Sequence, residues 1–365
     1  MCKQIYLDAP NVGELEKKYL IKAVDSDYVS TIGPYVPEFE DIFACYLGIN
    51  RAVSIQSGTG AIHIALHELK VSRGDEVIVP CLTFVASVNP VIYVGAKPVF
   101  VDVDDRTWNI DPKEIEKSIT KRTKAIIPVH FYGNPCNMDE IMRIAKKYNL
   151  YVIEDAAESL GARYRDRYTG TFGDLGCFSF NGNKIITTGG GGMVVGNNAD
   201  RLKHIKFLVN QGQDKTKGYY YPEIGFNYRM TNIEAALGLA QMEKLDNFLT
   251  KKKTFNKIYR EELGDIDIIR FQEEYQNAKS SWWLTSIIFD KDIDISALQK
   301  RLKEKGIPAR RVFMPVTESA PYRQYKQADF GNSYQIYEKG LCLPSSTLNS
   351  EDNIYYVCRI IKESI

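Results

Sequence analysis

The sequence predicts an α/β protein: a largely parallel sheet with helices on both faces, followed by a smaller α+β domain over residues 250–365. Three observations carry this. Over the first two-thirds of the chain, short apolar runs alternate with helical patterns, the βαβα order that builds parallel sheets. Several of those runs are bare β-branched stretches bounded by Gly, Pro or Asp, as strands buried on both faces are. Beyond a long helical pattern at 232–256 the texture changes, and strands and helices no longer alternate regularly.

The elements follow in order. Strands are expected at 52–55, 76–79, 98–101, 125–129, 151–154, 177–180 and 193–196. Helical patterns lie between them at 61–69, 112–119 and 138–148. The 232–256 helix runs through Ala-Ala-Leu-Gly-Leu-Ala-Gln-Met. The second domain opens with a strand at 281–289, then a helix at 295–304 and a terminal helix at 352–362. Ligands of such sheets sit at the carboxyl ends of the strands, so chemistry is sought in the residues that follow each strand.

Composition narrows the function classes. Of 365 residues, 44% are hydrophobic and 25% charged, an ordinary globular balance that argues against disorder. Lys+Arg is 47 against Asp+Glu 46. A near-neutral chain has no general electrostatic reason to bind nucleic acid or an anionic membrane. No apolar run is long enough to span a bilayer. The seven cysteines, Cys2, Cys45, Cys81, Cys136, Cys177, Cys342 and Cys358, are scattered and form no C-x-x-C pair. That pattern opposes a disulfide framework or a metal site and leads to the expectation of a cytoplasmic location in a reducing compartment.

Four stretches carry chemistry. Ser57-Gly58-Thr59-Gly60 follows a strand and opens a helix, where backbone N–H groups attract an anion; it reads equally as an ordinary capped start. Asp155 stands just past an apolar strand, placed to pair with a protonated ring nitrogen or a metal, or to cap a following helix. Lys184, at the end of Phe178-Ser179-Phe180-Asn181-Gly182-Asn183-Lys184, lies in an apolar, small-residue setting. Desolvation there lowers a lysine's pKa and favours the neutral amine, whereas most lysines simply reach solvent. Gly189-Gly190-Gly191-Gly192 after it also suits a plain hairpin. Gly225-Phe226-Asn227-Tyr228-Arg229-Met230 precedes the long helix, with Asn227 and Arg229 as anion ligands or loop decoration. In this order the set meets the needs of pyridoxal 5'-phosphate: a helix start for phosphate, a carboxylate for the ring nitrogen, and an amine for the aldehyde.

At these residues the sequence resembles the DegT/DnrJ/EryC1/StrS family of sugar aminotransferases, which have the fold-type I architecture. Pro80-Cys81-Leu82-Thr83-Phe84, Pro128-Val129-His130-Phe131-Tyr132-Gly133 and Glu154-Asp155-Ala156-Ala157-Glu158 extend the match. The resemblance implies a large cofactor-binding domain over 1–249. It implies that Lys184 anchors pyridoxal phosphate and carries protons, that Asp155 pairs with the ring nitrogen, and that Phe84 stacks on the ring. Gly58, Thr59 and Ser179 would bind the phosphate, and Asn227 would reach it from the other subunit of a homodimer. Glu158, where many relatives have Gln, would contact the cofactor ring region or the substrate amine. Together with the carboxylate-free glycine run, it is closer to the bacillosamine and legionaminic-acid branch. Lysine rather than histidine at 184 favours transamination over dehydration.

The expected reaction moves an amino group from L-glutamate, leaving 2-oxoglutarate, to C-4 of a UDP- or GDP-linked 4-keto-6-deoxyhexose, with a 2-acetamido sugar foremost. Arg229, Tyr219 and Phe313 are candidate substrate contacts; the segments Tyr219–Pro222 and Arg310–Phe313 suit the lining of a sugar-nucleotide cleft, and equally a tyrosine-rich surface loop and a basic turn. Two other readings stand beside it: a non-catalytic regulator on the same scaffold, and an aminotransferase for a free cyclitol ketone.

Overall fold

Three sheets, of seven, four and three strands, organise the chain, and the largest positions the site. The computed structural model describes residues 4–365, so Cys2 lies outside the described residues. After α1 (Glu14–Asp25) and α2 (Tyr35–Leu47) come β1 (Arg51–Ile55), α3 (Gly58–Glu68), β2 (Glu76–Pro80), α4 (Asn89–Tyr93) and β3 (Lys97–Val101). Then follow α5 (Pro112–Lys117), β4 (Thr123–Ile126), α6 (Met138–Tyr148), β5 (Tyr151–Asp155), and the short β6 (Arg163–Tyr164) and β7 (Arg167–Tyr168). The first part closes with β8 (Leu175–Ser179), β9 (Gly192–Gly196), α7 (Ala199–Leu208) and α8 (Asn232–Leu263).

The large sheet has the order β1-β9-β8-β5-β4-β2-β3. The pairs β2/β3, β2/β4, β4/β5 and β5/β8 are parallel, while β9 runs antiparallel to both β1 and β8. The antiparallel β8 and β9 are joined by residues 180–191, a connection too long for a plain hairpin; the glycine run closes it, and Gly190 and Gly191 line the same cavity as Lys184. Alternate residues of a strand face opposite sides. Val152 of β5 packs in a cluster with Met138 and Ile141 of α6, whereas Ile153 packs in another with Ala61 and Ile64 of α3 and Leu202 of α7. Both faces are thus covered, which is why these strands read as unbroken apolar runs.

The remaining elements are β10 (Ile269–Phe271), β11 (Ala278–Lys279), β12 (Ser286–Phe289), α9 (Ile295–Glu304), β13 (Arg310–Arg311), α10 (Gly331–Lys339), β14 (Gly340–Cys342) and α11 (Glu351–Lys362). A second, antiparallel sheet has the order β10-β12-β14-β13. The smallest sheet has the order β11-β6-β7. Thr231 caps α8 through a capping box with Glu234, and the helix passes without interruption through residues 249 and 250. It outruns the expected end at 256 because Phe255, Ile258, Tyr259 and Leu263 bury into the cluster under the second sheet. The strand expected at 281–289 is only Ser286–Phe289. Its first residues leave the sheet: Trp282 has φ +50°, and the Ser281 N–H donates to the Gly133 carbonyl. This carries Trp283 toward the end of the large sheet. Among the described residues no helix is long and apolar enough to cross a membrane.

Candidate active site

The carboxyl ends of β5 and β8, the start of α3 and three side chains from beyond residue 280 enclose a cavity of about 300 Å³. Asp155 closes β5 and is 4% exposed. Its backbone N–H donates to Pro128 O, and its carbonyl accepts from His130 N. Its Oδ2 accepts from Ser87 Oγ at 2.6 Å, and Thr83 Oγ1 lies 3.0 Å from the same hydroxyl. Its Oδ1 accepts from the Ala157 N–H at 3.0 Å. A turn, not a helix, follows Asp155, so the carboxylate closes a local Asx-type turn rather than capping a helix.

The neighbouring Glu154 explains much of the motif around it. Oε1 accepts from the N–H groups of Phe172 and Gly173, and Oε2 from that of Gly170. His130 Nε2 sits 3.0 Å from Oε2, while His130 Nδ1 accepts from the Cys136 N–H. That second bond assigns the proton to Nε2, which donates to Glu154. A fully buried carboxylate is tolerable when its lone pairs are met in this way. The hub ties the β4–α6 and β5–β8 connections together behind Asp155.

Lys184 lies across the cavity. Its Nζ is 3.7 Å from Glu158 Oε1, with side chains 12% and 4% exposed, and 3.9 Å from the centroid of the Trp283 ring. Burial pushes the Lys184 pKa down, against the pull of Glu158 and Asp155. Burial also pushes Glu158 up, against the Lys184 ammonium and the hydrogen bond from Tyr132 N–H. Both shifts run toward the neutral forms, the amine and the carboxylic acid. Trp283 is held by its Nε1–H donating to the Asn183 carbonyl at 2.7 Å.

The start of α3 meets the end of β8 at a close approach. Ser57 caps α3 by accepting from the Gly60 N–H, and the first-turn N–H groups of Gly58 and Thr59 have no partner within the helix. A Cβ on Gly58 would lie 2.8 Å from Ser179 Cβ; glycine lets the end of β8 press against the helix start. Phe84 is 51% exposed at the rim, 5.5 Å from the Phe313 ring. The Phe313 N–H donates to Tyr132 Oη.

Of the residues singled out from the sequence, Gly58, Thr59, Phe84, Asp155, Glu158, Ser179, Lys184 and Phe313 line this one cavity. Asn227, Arg229 and Tyr219 do not line it. Asn227 is exposed, Tyr219 is 90% exposed, and Arg229 borders a separate cavity with Glu40, Lys203 and Lys206. Ser87 and Trp283 were missed. Ser87 lies three residues beyond Phe84 and Trp283 about a hundred residues beyond Lys184, and neither carries a motif. The residues present fit pyridoxal phosphate: a glycine-made cradle at a helix start, a buried carboxylate and a desolvated lysine face one space.

The profile of the DegT/DnrJ/EryC1/StrS aminotransferase family matches residues 10–362. The GDP-perosamine synthase of Escherichia coli O157:H7 is 41% identical over 99% of this chain and 98% of its own length. That of Caulobacter vibrioides is 40% identical over 96% of this chain and 95% of its own. A Streptococcus pneumoniae chain solved in its PLP form superposes with a TM-score of 0.93 at 25% identity, covering 100% of both chains. Fold and site define a fold-type I enzyme that uses pyridoxal phosphate. The chain belongs to the DegT/DnrJ/EryC1/StrS aminotransferase family and is a nucleotide-sugar aminotransferase.

Proposed function

We propose that the enzyme transfers the amino group of L-glutamate to C-4 of a nucleotide-linked 4-keto-6-deoxyhexose. A GDP-linked sugar is the favoured acceptor, because relatives about 40% identical over nearly the full length are GDP-perosamine synthases and perosamine is a 4-amino-4,6-dideoxy sugar. This moves the reading away from the 2-acetamido sugars of the bacillosamine and legionaminic-acid branch, to which no relative's name given above points. The observation that carries the chemistry is Lys184, buried between Glu158 and Trp283 and facing the cavity that Asp155 closes.

Bound here, pyridoxal phosphate would supply an electron sink for the carbanion left when the donor's Cα loses its proton. Asp155 would hold the ring nitrogen protonated, with Ser87 and Ala157 fixing the orientation of its carboxylate. Gly58 and Thr59 N–H groups and the Ser179 hydroxyl would hold the phosphate. Phe84, from the rim, would cover one ring face. Lys184 in neutral form takes the proton from the donor's Cα in the first half-reaction, and delivers one to sugar C-4 in the second. Glu158, 3.7 Å away, balances the lysine whenever it carries the extra proton. Walls contributed by Trp283 and Phe313 keep water from the reacting amine.

In this reading the working unit is a homodimer, with Asn227 and Arg229 serving the partner's cavity, since neither reaches the cavity of its own chain. The test of the function is incubation of holoenzyme and L-glutamate with GDP- and UDP-linked 4-keto-6-deoxy sugars, UDP-linked 2-acetamido forms included, beside a free keto sugar and a cyclitol ketone. The expected product is a GDP-linked 4-amino sugar with one 2-oxoglutarate formed per amine. Amination only of a UDP-linked 2-acetamido sugar would overturn the GDP reading. Amination only of a free keto sugar or cyclitol ketone would overturn the nucleotide requirement.

A further inference from the structure

Among the described residues, Arg310 of β13 is the one strongly basic side chain besides Lys184 that lines the cavity. Its surroundings leave a specific demand unmet. Nη1 lies 3.4 Å from Asp8 Oδ2, and the same Asp8 oxygen accepts from Asn183 Nδ2 at 3.0 Å. Asp8 therefore ties the guanidinium to the residue next to Lys184. Nε and Nη2, by contrast, are shielded from solvent and have no acceptor among the described residues. These two atoms form the side edge of the guanidinium, whose parallel N–H bonds match the two oxygens of a carboxylate. A charged donor pair enclosed without an acceptor is costly, which points to a ligand that supplies one. Phe313, whose ring centroid lies 5.5 Å from the guanidinium carbon, helps keep that edge dry.

We propose that the side edge of Arg310 binds the α-carboxylate of the amino donor and so sets donor specificity. The inference rests on the amino-acid donor of the preceding reading. The chemistry separates this anion from the other one a nucleotide sugar brings. The donor's carboxylate carbon is two bonds from the nitrogen being transferred, so a cation tied beside Lys184 meets it. The diphosphate of the acceptor is joined through the anomeric oxygen, across the sugar ring from C-4, and extends away from the reacting centre. The guanidinium also enters a local balance with Lys184, Glu158 and Asp8: its positive charge helps hold the Lys184 pKa down and the Glu158 pKa from rising further.

The test uses the holoenzyme and its Arg310→Gln, Arg310→Lys and Asp8→Asn variants. Each half-reaction is followed separately in single turnover, and maleate, an unreactive dicarboxylate, is titrated calorimetrically. Arg310→Gln should lower kcat/KM for L-glutamate about 100-fold, the scale of a lost charge-assisted pair of bonds. It should leave 4-aminobutyrate, which is glutamate without the α-carboxylate, within about threefold, and the half-reaction with keto sugar likewise. Maleate should bind at least about tenfold more weakly. Arg310→Lys keeps the charge without the fork and should recover only part of the loss. Asp8→Asn loosens the guanidinium and should produce a smaller loss confined to the glutamate half-reaction, so the idea stands or falls on it even where Arg310→Gln is poorly folded. Unchanged maleate affinity, or a loss in the sugar half-reaction equal to that with glutamate, would overturn the assignment. Wild-type enzyme that binds maleate but does not react with L-glutamate would sink the donor reading instead, and leave the carboxylate site standing.

Discussion

Replacing Gly58 with alanine tests whether the start of α3 is the phosphate seat. The new Cβ would stand 2.8 Å from Ser179 Cβ, 3.2 Å from Ser179 Oγ and 3.4 Å from Ser179 Cα. Carbon atoms at rest sit about 3.5–4.0 Å apart, so helix start and strand end must separate by roughly 1 Å. Overpacking of this kind costs about 1–3 kcal/mol of stability. The same shift pulls the Gly58 and Thr59 N–H groups away from the Ser179 hydroxyl, and bonds to a charged group are worth about 1.5–3 kcal/mol each. Losing one corresponds to roughly a 10- to 150-fold weaker cofactor affinity. The assay is an absorbance titration of apoenzyme with pyridoxal phosphate, beside thermal unfolding of the apo form. A second variant, Gly58→Ala with Ser179→Gly, removes the opposing Cβ. It should regain most of the lost stability, because the clash is gone, but not the affinity, because the hydroxyl is gone too. Cofactor affinity within threefold of wild type in the single variant, alongside a clear loss of stability, would refute the seat and leave Gly58 as a packing residue only.

Lys184→Ala should abolish turnover while leaving unfolding close to wild type, since the side chain offers an amine rather than a large packed volume; turnover within about tenfold of wild type, 1.4 kcal/mol in barrier, would be incompatible with its role. Ser87→Ala removes the hydroxyl that donates to Asp155 Oδ2 and should slow the half-reaction with glutamate by about 10-fold or more, the scale of one bond to a charged group; equal rates would show that Asp155 is oriented without it. Glu16 gives a stability test. Burial pushes its pKa up, but the hydrogen bonds from Lys244, Gln241 and the Gly13 N–H outweigh this and hold it below the usual carboxylate range. A depressed folded pKa means stability that is present above the unfolded pKa and lost as pH falls through the folded one. Glu16→Gln should therefore cost about 1–3 kcal/mol at neutral pH, and its unfolding curve should converge on that of wild type in acid; a pH-independent gap would contradict the assignment.

The large sheet was legible strand by strand, with ends displaced by up to three residues, because its strands are buried on both faces. Val152 and Ile153 serve opposite helical layers, so both must be apolar, and a run of such residues reads as a central strand whatever follows. The end of β5 was legible for a related reason, since Asp155 is a polar residue where an apolar run stops; β8, expected to run to Phe180, ends one residue earlier at Ser179. Lys184, Gly58 and Phe84 were found because each belongs to a contiguous motif. Phe313 apart, what local sequence did not carry was the set of contacts that arrive from a distance. Ser87 turns back onto Asp155, Trp283 covers Lys184 only because 281–285 leaves the expected strand, and the Arg310 edge is meaningful only once Asp8 has taken the other side. Hydrophobic periodicity reports which residues are buried within an element, and motif spacing reports neighbours along the chain. Neither reports which side chains from separate elements share a space; that is decided by how β12, β13 and α8 pack the second sheet against the carboxyl ends of the first.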